Sequence, residues 1–485
     1  MNETIFPRKN QKLIDLYTTA GHPGKVVCVP LDYAKRTHMA LICDGQGRRL
    51  KAAFPVQNSP DGVAFLLERV EKICRKHKIE ARHVYFGGEA CGTYTLNFIH
   101  ALEKKGFLVL SVDPKQAKDQ RASFQASTDK LDLLGIAKVL LDQQGSERST
   151  SRLAERQLRN VMRHRGDLVQ SKTAVSNRIH SIVDQLFPGF LDEEQSGIAA
   201  FSETSLWLME DRFSPRQIQG RRMKSLVAQA KKRKLPKAEE AILKLKEHAR
   251  AVLPPVPEWV GCLQTALYHE VQLYRGLLKC IEQTAREAAL LLAKTPAAMM
   301  TTIKGTGITL AAGVGSELGA PEEQSSVRRL TSYAGIIPRV KQTGGPQGEP
   351  RYGRVSRRCN HLLKNYLAQC GNHMGQHGPE ELKEDHRRRG ANGQHADFGM
   401  GRRFIRIAMK LMRDNLHYRP ASLRGQVDCE QIRAYYLECW PRLRDIWHKA
   451  GALEEAFRPE NPLGKWRECI EAIYQIDLPL DLKRK

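Results

Sequence analysis

The order of apolar strands and helices in the first 140 residues constrains the fold more than any other feature. Five apolar runs, bounded by Gly, Pro and Asp, are typical of strands and lie at residues 26–32, 38–43, 50–56, 83–89 and 107–112. The first three follow one another across short turns, so they predict an antiparallel meander. Helical stretches separate the later runs, and another helix begins near Thr128. Three strands, helix, strand, helix, strand, helix is the order of the ribonuclease H-like α/β fold.

Acidic residues occur at the ends of these predicted elements. Asp32 ends the first strand and Glu89 ends the fourth, while Asp129 and Asp132 begin the following helix. A spacing of three puts Asp129 and Asp132 on one face of that helix, one turn apart. Because the first and fourth strands of such a sheet can be neighbours, we expect the four carboxylates to converge.

Four close carboxylates cannot all stay ionised without cations between them. Carboxylate oxygens are suitable ligands for Mg²⁺, and two such ions can activate the attacking oxygen and stabilise the leaving oxygen of a phosphoryl transfer. The sequence therefore predicts a Mg²⁺ site formed by Asp32, Glu89, Asp129 and Asp132. The alternative is that each acid is a solvated strand end or a helix cap.

The formal net charge of +25 favours a polyanionic partner, most simply nucleic acid. Solubility or nonspecific binding is the alternative explanation. No apolar run reaches eighteen residues and the N-terminus lacks an apolar signal centre, so no membrane segment is predicted. The eleven cysteines form no C-x-x-C pair, which fits a reducing cytoplasm.

The remainder of the chain is predicted to be mostly helical. Residues 152–186 form a basic amphipathic pattern, and apolar residues spaced by three and four over 263–292 are heptad-like. The heptads predict a coiled-coil arm or a long hairpin packed against the preceding helices, and a core helix of an ordinary bundle is the alternative. We expect 375–401 to be flexible because Gly, His and Arg dominate it. The expected division is a lead-in at 1–24, a catalytic domain at 25–150, a basic helical segment at 151–200, a linker and coiled coil at 201–295, a transfer domain at 296–375 and a helical extension at 376–485.

Two further segments are candidates for phosphate chemistry. Gly305-x-Gly307 predicts a tight turn into a helix, whose N-terminal N–H groups can bind phosphate. Thr343 lies in a polar, glycine-rich loop that leads to a basic segment at 351–358. Its hydroxyl is a candidate nucleophile or phosphate ligand. An ordinary turn and an ordinary loop threonine are the alternatives.

Spaced motifs in both halves of the chain resemble the DEDD transposases of the insertion-sequence "one-ten" family, the bridge-RNA-guided recombinases. The matching residues are Leu31-Asp32 with Lys35, Gly88-Glu89 with Gly92 and Tyr94, Val112-Asp113-Pro114, Thr128-Asp129-Lys130-Leu131-Asp132, Arg165, Asn177, Gly305-x-Gly307 and Tyr333-Ala334-Gly335-Ile336-x-Pro338. They occur in the family's order and cover roughly residues 25–370.

The resemblance implies a RuvC-like DEDD domain, a helical coiled-coil middle and a mostly helical C-terminal transposase domain. It also implies Mg²⁺-dependent cleavage and exchange of donor and target DNA, guided by a structured bridge RNA and carried out by a homo-oligomer. The implied location is the bacterial cytoplasm, in association with the nucleoid. In the family a serine of a Q-S-G-like motif attacks the DNA phosphodiester.

The chain departs from the family pattern at the nucleophile. Thr343 stands at the serine position, in Gln342-Thr343-Gly344, and its extra methyl group restricts the first side-chain torsion. Ser356 or Ser332 as nucleophile, or an inactive element, are the alternatives. Two competing functions follow, a RuvC-like nuclease or junction resolvase that uses water, and an inactive nucleic-acid-binding relic.

Overall fold

The computed structural model describes residues 9–89, 95–121, 129–147, 153–319, 321, 326–341, 351–355, 359–390, 393–425 and 428–481. The chain divides into two compact units, residues 1–151 and residues 152–485. The first unit is an α/β domain and the second is almost entirely helical. The finer domain boundaries expected within 152–485 remain predictions.

The first unit alternates strands and helices. Its elements are α1 (Gln11–Ala20), β1 (Val27–Asp32), β2 (Thr37–Asp44), β3 (Arg49–Gln57), α2 (Pro60–His77), β4 (Val84–Glu89), α3 (Leu96–Lys104), β5 (Leu108–Val112), α4 (Pro114–Arg121), α5 (Asp129–Leu141) and β6 (Ser146–Glu147). The strands form one mixed sheet in the order β3-β2-β1-β4-β5-β6. β1, β2 and β3 are antiparallel neighbours, which confirms the predicted meander. β4 and β5 run parallel to β1.

Both faces of the sheet are covered, and β1 shows why its sequence is apolar throughout. Val27, Val29 and Leu31 point into a core shared with residues of α2 and α3. Cys28 points the other way, into a core shared with α5 and with Leu13 of α1. A strand that is buried on both faces reads as a continuous apolar run rather than an alternating one.

Part of the segment at residues 1–24, which the sequence predicted to be a loose lead-in, forms helix α1 in the structure. This helix is capped by Asn10, whose side chain accepts a hydrogen bond from the backbone N–H of Leu13. Leu13 is fully buried in the core beneath α5. The helix is stabilised by that tertiary burial, since Leu13, Leu16, Tyr17 and Ala20 form one apolar stripe that packs against the sheet core, and an isolated helix of this length is marginal in water.

The second unit is a helical assembly with one short hairpin. Its elements are α6 (Leu153–Leu186), α7 (Glu193–Ser196), α8 (Glu203–Glu210), α9 (Pro215–Gly220), α10 (Met223–Lys232), α11 (Ala238–Ala251), α12 (Pro257–Ala293), α13 (Ile308–Leu318), α14 (Val327–Tyr333), β7 (Pro338–Lys341), β8 (Arg351–Val355), α15 (His361–His377), α16 (Glu380–Arg388), α17 (Gly393–Asp414), α18 (Cys429–Lys449), α19 (Leu453–Ala456) and α20 (Pro462–Tyr474). Each helix in the described part of the chain is too short or too polar to cross a lipid bilayer.

The long helices α6 and α12 pack against each other in antiparallel fashion. Leu158, near the start of α6, shares a core with Leu292 at the end of α12. Ile179, near the end of α6, shares a second core with Val271 near the start of α12. Arg178 and Glu270 form an ion pair of 2.8 Å across the same pair of helices. The two hydrophobic cores of the unit therefore lie along one helix pair.

The heptad-like stretch forms α12, as its periodicity predicts. Its apolar positions are buried towards both ends of the helix, but Leu278 in the middle remains 37 % exposed. Tyr268 and Leu273 are exposed on the same helix. Helix α6 packs against both ends of α12. A coiled coil between α12 and a second copy of the chain remains a prediction.

The C-terminal extension packs into the core of residues 296–375. Trp447 on α18 is fully buried, and its indole Nε1–H donates to Thr301 Oγ1 at 3.1 Å. Arg442 donates to the backbone carbonyl of Thr302 at 2.9 Å. The flexibility expected at 375–401 is not borne out where the chain is described, because α15 ends at His377 and α16 and α17 follow.

His417 is a buried titratable group within this shared core. Its ring stacks on Trp466 with the centroids 4.8 Å apart, and its Nδ1–H donates to the Tyr418 carbonyl at 2.6 Å. Burial lowers the pKa of His417 to about 3. The hydrogen bond to the Tyr418 carbonyl raises the pKa, but the nearby charges of Arg442 and Arg419 lower it further. The imidazole is therefore neutral in the folded protein.

The neutral His417 makes the second unit less stable in mild acid. Below about pH 6.5 the unfolded chain binds a proton at this histidine, whereas the folded chain does not. The contribution of His417 to the free energy of unfolding therefore falls by about 2 kcal/mol between pH 6.5 and pH 5. Urea unfolding followed by tryptophan fluorescence measures this unit, because all five tryptophans lie in residues 152–485. The His417→Phe variant keeps the stacking and loses the titration, so its stability changes less over this range. Parallel pH profiles of the two proteins would contradict the assignment.

Candidate active site

Asp32 and Glu89 end two neighbouring parallel strands. The register pairs Leu31 of β1 with Gly88 of β4, so Asp32 and Glu89 occupy the next positions at the same edge of the sheet. Neighbouring strands lie about 4.8 Å apart, and residues in register point to the same face. The structure therefore brings these two acids side by side, as their positions in the sequence predict.

The face that carries the two acids is the one covered by α5. Asp32 pairs directly with Met39 of β2, and Met39 packs against the cluster that contains Leu133 of α5. On β4, the hydroxyl of Tyr85 donates to the Leu140 carbonyl of α5 at 3.2 Å. Gly87 follows Tyr85 by two residues, and Glu89 follows it by four. Residues two apart on a strand share a face. Asp32 and Glu89 consequently point to the side on which α5 lies.

Two glycines before Glu89 allow this close packing. A Cβ atom on Gly87 would lie 2.5 Å from Leu140 Cδ2, and one on Gly88 would collide with the Leu31 carbonyl and the Tyr33 ring. The Leu140 side chain, in the last turn of α5, therefore packs directly on the β4 backbone at Gly87. Gly88 allows the Tyr33 ring to pack equally closely on the opposite face of the sheet.

Asp129 and Asp132 lie in the first turn of α5. Asp132 is half-buried and precedes Leu133, which is buried in the cluster beside Met39. The side chain of Asp129 lies outside the described residues. Among the described residues, no three His, Cys, Asp or Glu side chains are close enough together to hold a metal ion. Asp32 and Glu89 thus share one face and one edge of the sheet, and Asp132 lies in the first turn of the helix that packs on this face.

Thr343 lies outside the described residues, and so do Ser356 and the 342–350 loop. The structure does describe the backbone of the hairpin that bears this loop. β7 and β8 pair in antiparallel fashion, with Lys341 opposite Arg351 at the end that leads into the loop. Ser332, the other alternative nucleophile, is exposed in the last turn of α14.

A polar network around the buried Glu317 joins the two ends of this hairpin. Asn360 donates from its backbone N–H to the Tyr333 carbonyl at 2.9 Å and from its side chain to the Tyr333 hydroxyl at 2.9 Å. The same side-chain amide donates to Glu317 Oε2 at 2.7 Å. Arg163 of α6 binds both carboxylate oxygens of Glu317, at 2.9 and 3.1 Å. The chain entering the hairpin and the chain leaving it are thus joined to α6 and α13.

Glu317 is ionised at the centre of this network. Only 1 % of its side chain is exposed. Burial raises the pKa of Glu317, but the hydrogen bonds from Arg163 and Asn360 outweigh burial and hold the pKa below its usual value. Sequence analysis overlooked this residue. The available signal was a lone acid in the apolar helix α13, because a buried carboxylate requires a charged partner.

The Gly305-x-Gly307 motif forms the predicted turn into a helix. Gly305 has φ +90°, a conformation that favours glycine, and a Cβ there would approach the His373 carbonyl to 3.1 Å. Gly307 is the N-cap of α13, and no side chain caps the helix. The first N–H groups of α13 therefore have no partner from a capping side chain.

Comparison with known families now identifies the protein. A family model described as a transposase, of the DEDD type and the IS110 group, matches residues 29–188. A second model, described as the transposase IS116/IS110/IS902 family, matches residues 297–387. No curated protein sequence matches the chain. The two matches cover the strands that carry Asp32 and Glu89, the start of α5, and the hairpin with its supporting network.

The chain is therefore a DNA transposase, an enzyme that moves DNA by phosphoryl transfer between strands. More particularly, it belongs to the IS110 family of insertion-sequence transposases and carries that family's DEDD domain. Both matches end before the last hundred residues, so the family assignment does not explain the C-terminal extension.

Replacing Gly87 tests the contact between β4 and α5. Gly87→Ala forces Leu140 away from the sheet and destabilises the first unit by about 2 kcal/mol, the usual cost of overpacking. In a Leu140→Ala background the same substitution costs at least about 1 kcal/mol less, because the obstructing methyl groups are gone. Hydrogen exchange of β4 and α5 amides measures both effects, since the first unit contains no tryptophan. Additive effects of the two substitutions would contradict the contact.

Replacing Glu317 tests the network at the hairpin base. Glu317→Gln destabilises the second unit by about 2 kcal/mol at pH 7. This cost is smaller than that of breaking a fully buried ion pair, because Arg163 is half exposed and solvent screens its charge. Since the folded pKa is depressed, the carboxylate stabilises the protein above its usual pKa of about 4.3, and this advantage disappears as the pH falls through the folded pKa. Urea unfolding at several pH values measures the difference. Glu384→Gln, an exposed change on α16, is the matched control and leaves stability nearly unchanged.

Proposed function

We propose that this transposase cleaves and exchanges DNA strands in a Mg²⁺-dependent reaction that uses Asp32, Glu89, Asp129 and Asp132 together with the hydroxyl of Thr343. The main support is that Asp32 and Glu89 lie on one face and one edge of the sheet, and that α5, which carries Asp129 and Asp132, packs on the same face. The strand order β3-β2-β1-β4-β5 also supports a ribonuclease H/RuvC-like domain.

The donor set suits a hard divalent cation, because all four residues offer carboxylate oxygens. Asp32 and Glu89 would hold it from the sheet, and Asp129 and Asp132 from the first turn of α5. When bound, Mg²⁺ neutralises the phosphate and polarises its oxygens. The protein's own contribution is to keep these acids in place through the rigid packing of α5 on β1 and β4.

The proposed nucleophile is Thr343 Oγ1. Its attack forms a bond from Oγ1 to phosphorus, breaks the bond from phosphorus to one DNA oxygen, and releases that strand end as a hydroxyl. The hydroxyl proton of Thr343 passes to a base or to water. The strand stays attached as a phosphothreonine ester until another DNA hydroxyl attacks it. The hairpin base at Asn360, Tyr333 and Glu317 would position the loop during these steps.

The partners proposed are donor DNA, target DNA and a structured guide RNA. Their support is the net charge of +25 and the likeness of the motifs to the bridge-RNA-guided transposases. A homo-oligomer is proposed because apolar side chains of α12, including Tyr268 and Leu273, remain exposed within one chain. The proposed place of action is the cytoplasm, where the element's DNA lies.

A second candidate is a RuvC-like nuclease in which water attacks the phosphate. The observation that favours it is the threonine at the position where the resembling motif has serine. The acids would play the same part, and Thr343 would have no role in the chemistry. The two candidates differ in whether DNA becomes covalently attached to the protein.

A denaturing gel of labelled junction DNA incubated with Mg²⁺, the element's flanking RNA and protein distinguishes them. We expect a covalent adduct with wild type, none with Thr343→Ala and none with Asp129→Ala. Thr343→Ser, which removes only the methyl group, is expected to form the adduct at least as fast. Free nicks that persist in Thr343→Ala but disappear in Asp129→Ala would establish the nuclease instead.

A further inference from the structure

The C-terminal extension contains a cationic pocket that the family matches do not reach. It has a volume of about 460 Å³ and lies between α17 and the loop at residues 415–425. Arg406 and Lys410 project from successive turns of α17, and Arg419 and Arg424 project from the loop. A spacing of four places Arg406 and Lys410 on the same side of the helix. Four cations therefore surround one concave site.

Three of these cations have no acidic partner within the part of the chain that the structure describes. Arg406, Lys410 and Arg419 form no ion pair with any carboxylate in the described part of the chain. Arg424 differs, since its guanidinium lies 3.5 Å from Glu381 and donates to the Arg419 carbonyl at 2.7 Å. Uncompensated positive charges that converge on a cavity are a binding site for an anion.

The loop wall of the pocket is rigid. The Tyr418 backbone N–H donates to Thr302 Oγ1 at 3.0 Å, and the Tyr435 hydroxyl donates to the Tyr418 carbonyl at 2.7 Å. The Tyr418 hydroxyl donates to Glu381, and the Asn415 side chain donates to the Pro462 carbonyl at 3.0 Å. Each contact ties the loop to a different element. The pocket is thus formed before any ligand binds, which lowers the entropic cost of binding.

The floor of the pocket is apolar. Leu411 of α17 and Leu416 and Leu423 of the loop line the pocket, and Leu416 remains 36 % exposed. A free inorganic anion needs only the cations and gains nothing from leucines. A nucleotide offers both features, a phosphate for the cations and an apolar base face for the floor.

We propose that this pocket binds one nucleotide unit of a single-stranded nucleic-acid segment, with its phosphate on Arg406, Lys410 and Arg419 and its base on Leu416. The choice of a strand rather than a free nucleotide rests on the proposed function, in which DNA and RNA are partners. A duplex keeps its bases stacked and paired, so it cannot place one base on the floor.

Binding of short fluorescein-labelled oligonucleotides to the full chain tests the proposal by anisotropy. The probes are one sequence as single-stranded DNA, as single-stranded RNA and as duplex DNA, with EDTA present. We expect Arg406→Ala/Lys410→Ala to weaken single-strand binding about tenfold near 150 mM salt. We also expect the slope of log K against log salt to fall by about 0.7, the value for the one phosphate contact that the pocket makes.

A matched control removes two exposed charges outside the pocket. Arg413→Ala/Lys465→Ala has the same net charge as the pocket variant, and neither residue lines the cavity. We expect it to weaken binding less than about twofold. Equal losses in both variants would show that bulk charge alone is responsible and would overturn the proposal. Equal losses on the duplex and the single strands would overturn the choice of single-stranded ligand.

A third variant separates a nucleotide from a bare phosphate. Leu416→Ser weakens single-strand binding about threefold without changing the salt slope, because it alters the floor and leaves the cations. No change in this variant would overturn the contact with a base. The affinities for single-stranded DNA and single-stranded RNA identify the ligand. The site takes the strand that binds wild type more tightly and that loses more affinity in Arg406→Ala/Lys410→Ala.

Failure of this proposal is distinguishable from failure of the proposed function. The binding assay contains no free divalent metal and needs no strand cleavage. Asp132→Asn, which alters the acidic set in the other unit, is expected to bind the probes as wild type does. A protein that forms the covalent adduct but shows no pocket-dependent binding would overturn only the pocket.

Discussion

The second unit depends on the antiparallel packing of α6 against α12. One hydrophobic core surrounds the start of α6 and the end of α12, and another surrounds their opposite ends. Because both cores include residues of the same two helices, neither can open without exposing apolar surface on the shared pair. Arg163 extends this dependence to the base of the β7–β8 hairpin, since it projects from α6 and binds Glu317, which accepts a hydrogen bond from Asn360. The position of the hairpin base thus follows from helix packing rather than from its own short strands.

In the first unit the corresponding constraint is the approach of α5 to the sheet. The acids come from three separate elements, and only the packing of Leu133 and Leu140 brings the helix to the strand ends. Gly87 is required because the helix occupies the space of its side chain. Apolar burial therefore sets the position of α5 on the face of the sheet that carries Asp32 and Glu89.

Sequence patterns predicted the parts of the fold that local physics determines. Strand runs, the meander, the heptad helix and the Gly305 turn follow from periodicity and from glycine's backbone freedom, and the structure contains them. Helix α1 was not expected although Leu13, Leu16 and Tyr17 form an apolar stripe, and the helices across residues 375–401 were not expected because Gly, His and Arg dominate that segment. All of them are stabilised by distant groups, α1 in the core around Leu13 and the later helices in the core that includes Leu382 and Phe404. Glu317 was overlooked for the same reason, since its partners lie 43 and 154 residues away.

By itself the sequence determined the identity of the candidate acids, the strand ends that carry Asp32 and Glu89, and the hydroxyl at position 343. These depend on residue type and on spacing within one element, which are local properties. Only the tertiary structure decided that β1 and β4 are in register, that α5 covers the face of both acids, and that Arg406, Lys410 and Arg419 surround one pocket. Those arrangements depend on burial and charge between residues far apart in the chain, and the free energy of such contacts has no periodic signature in the sequence.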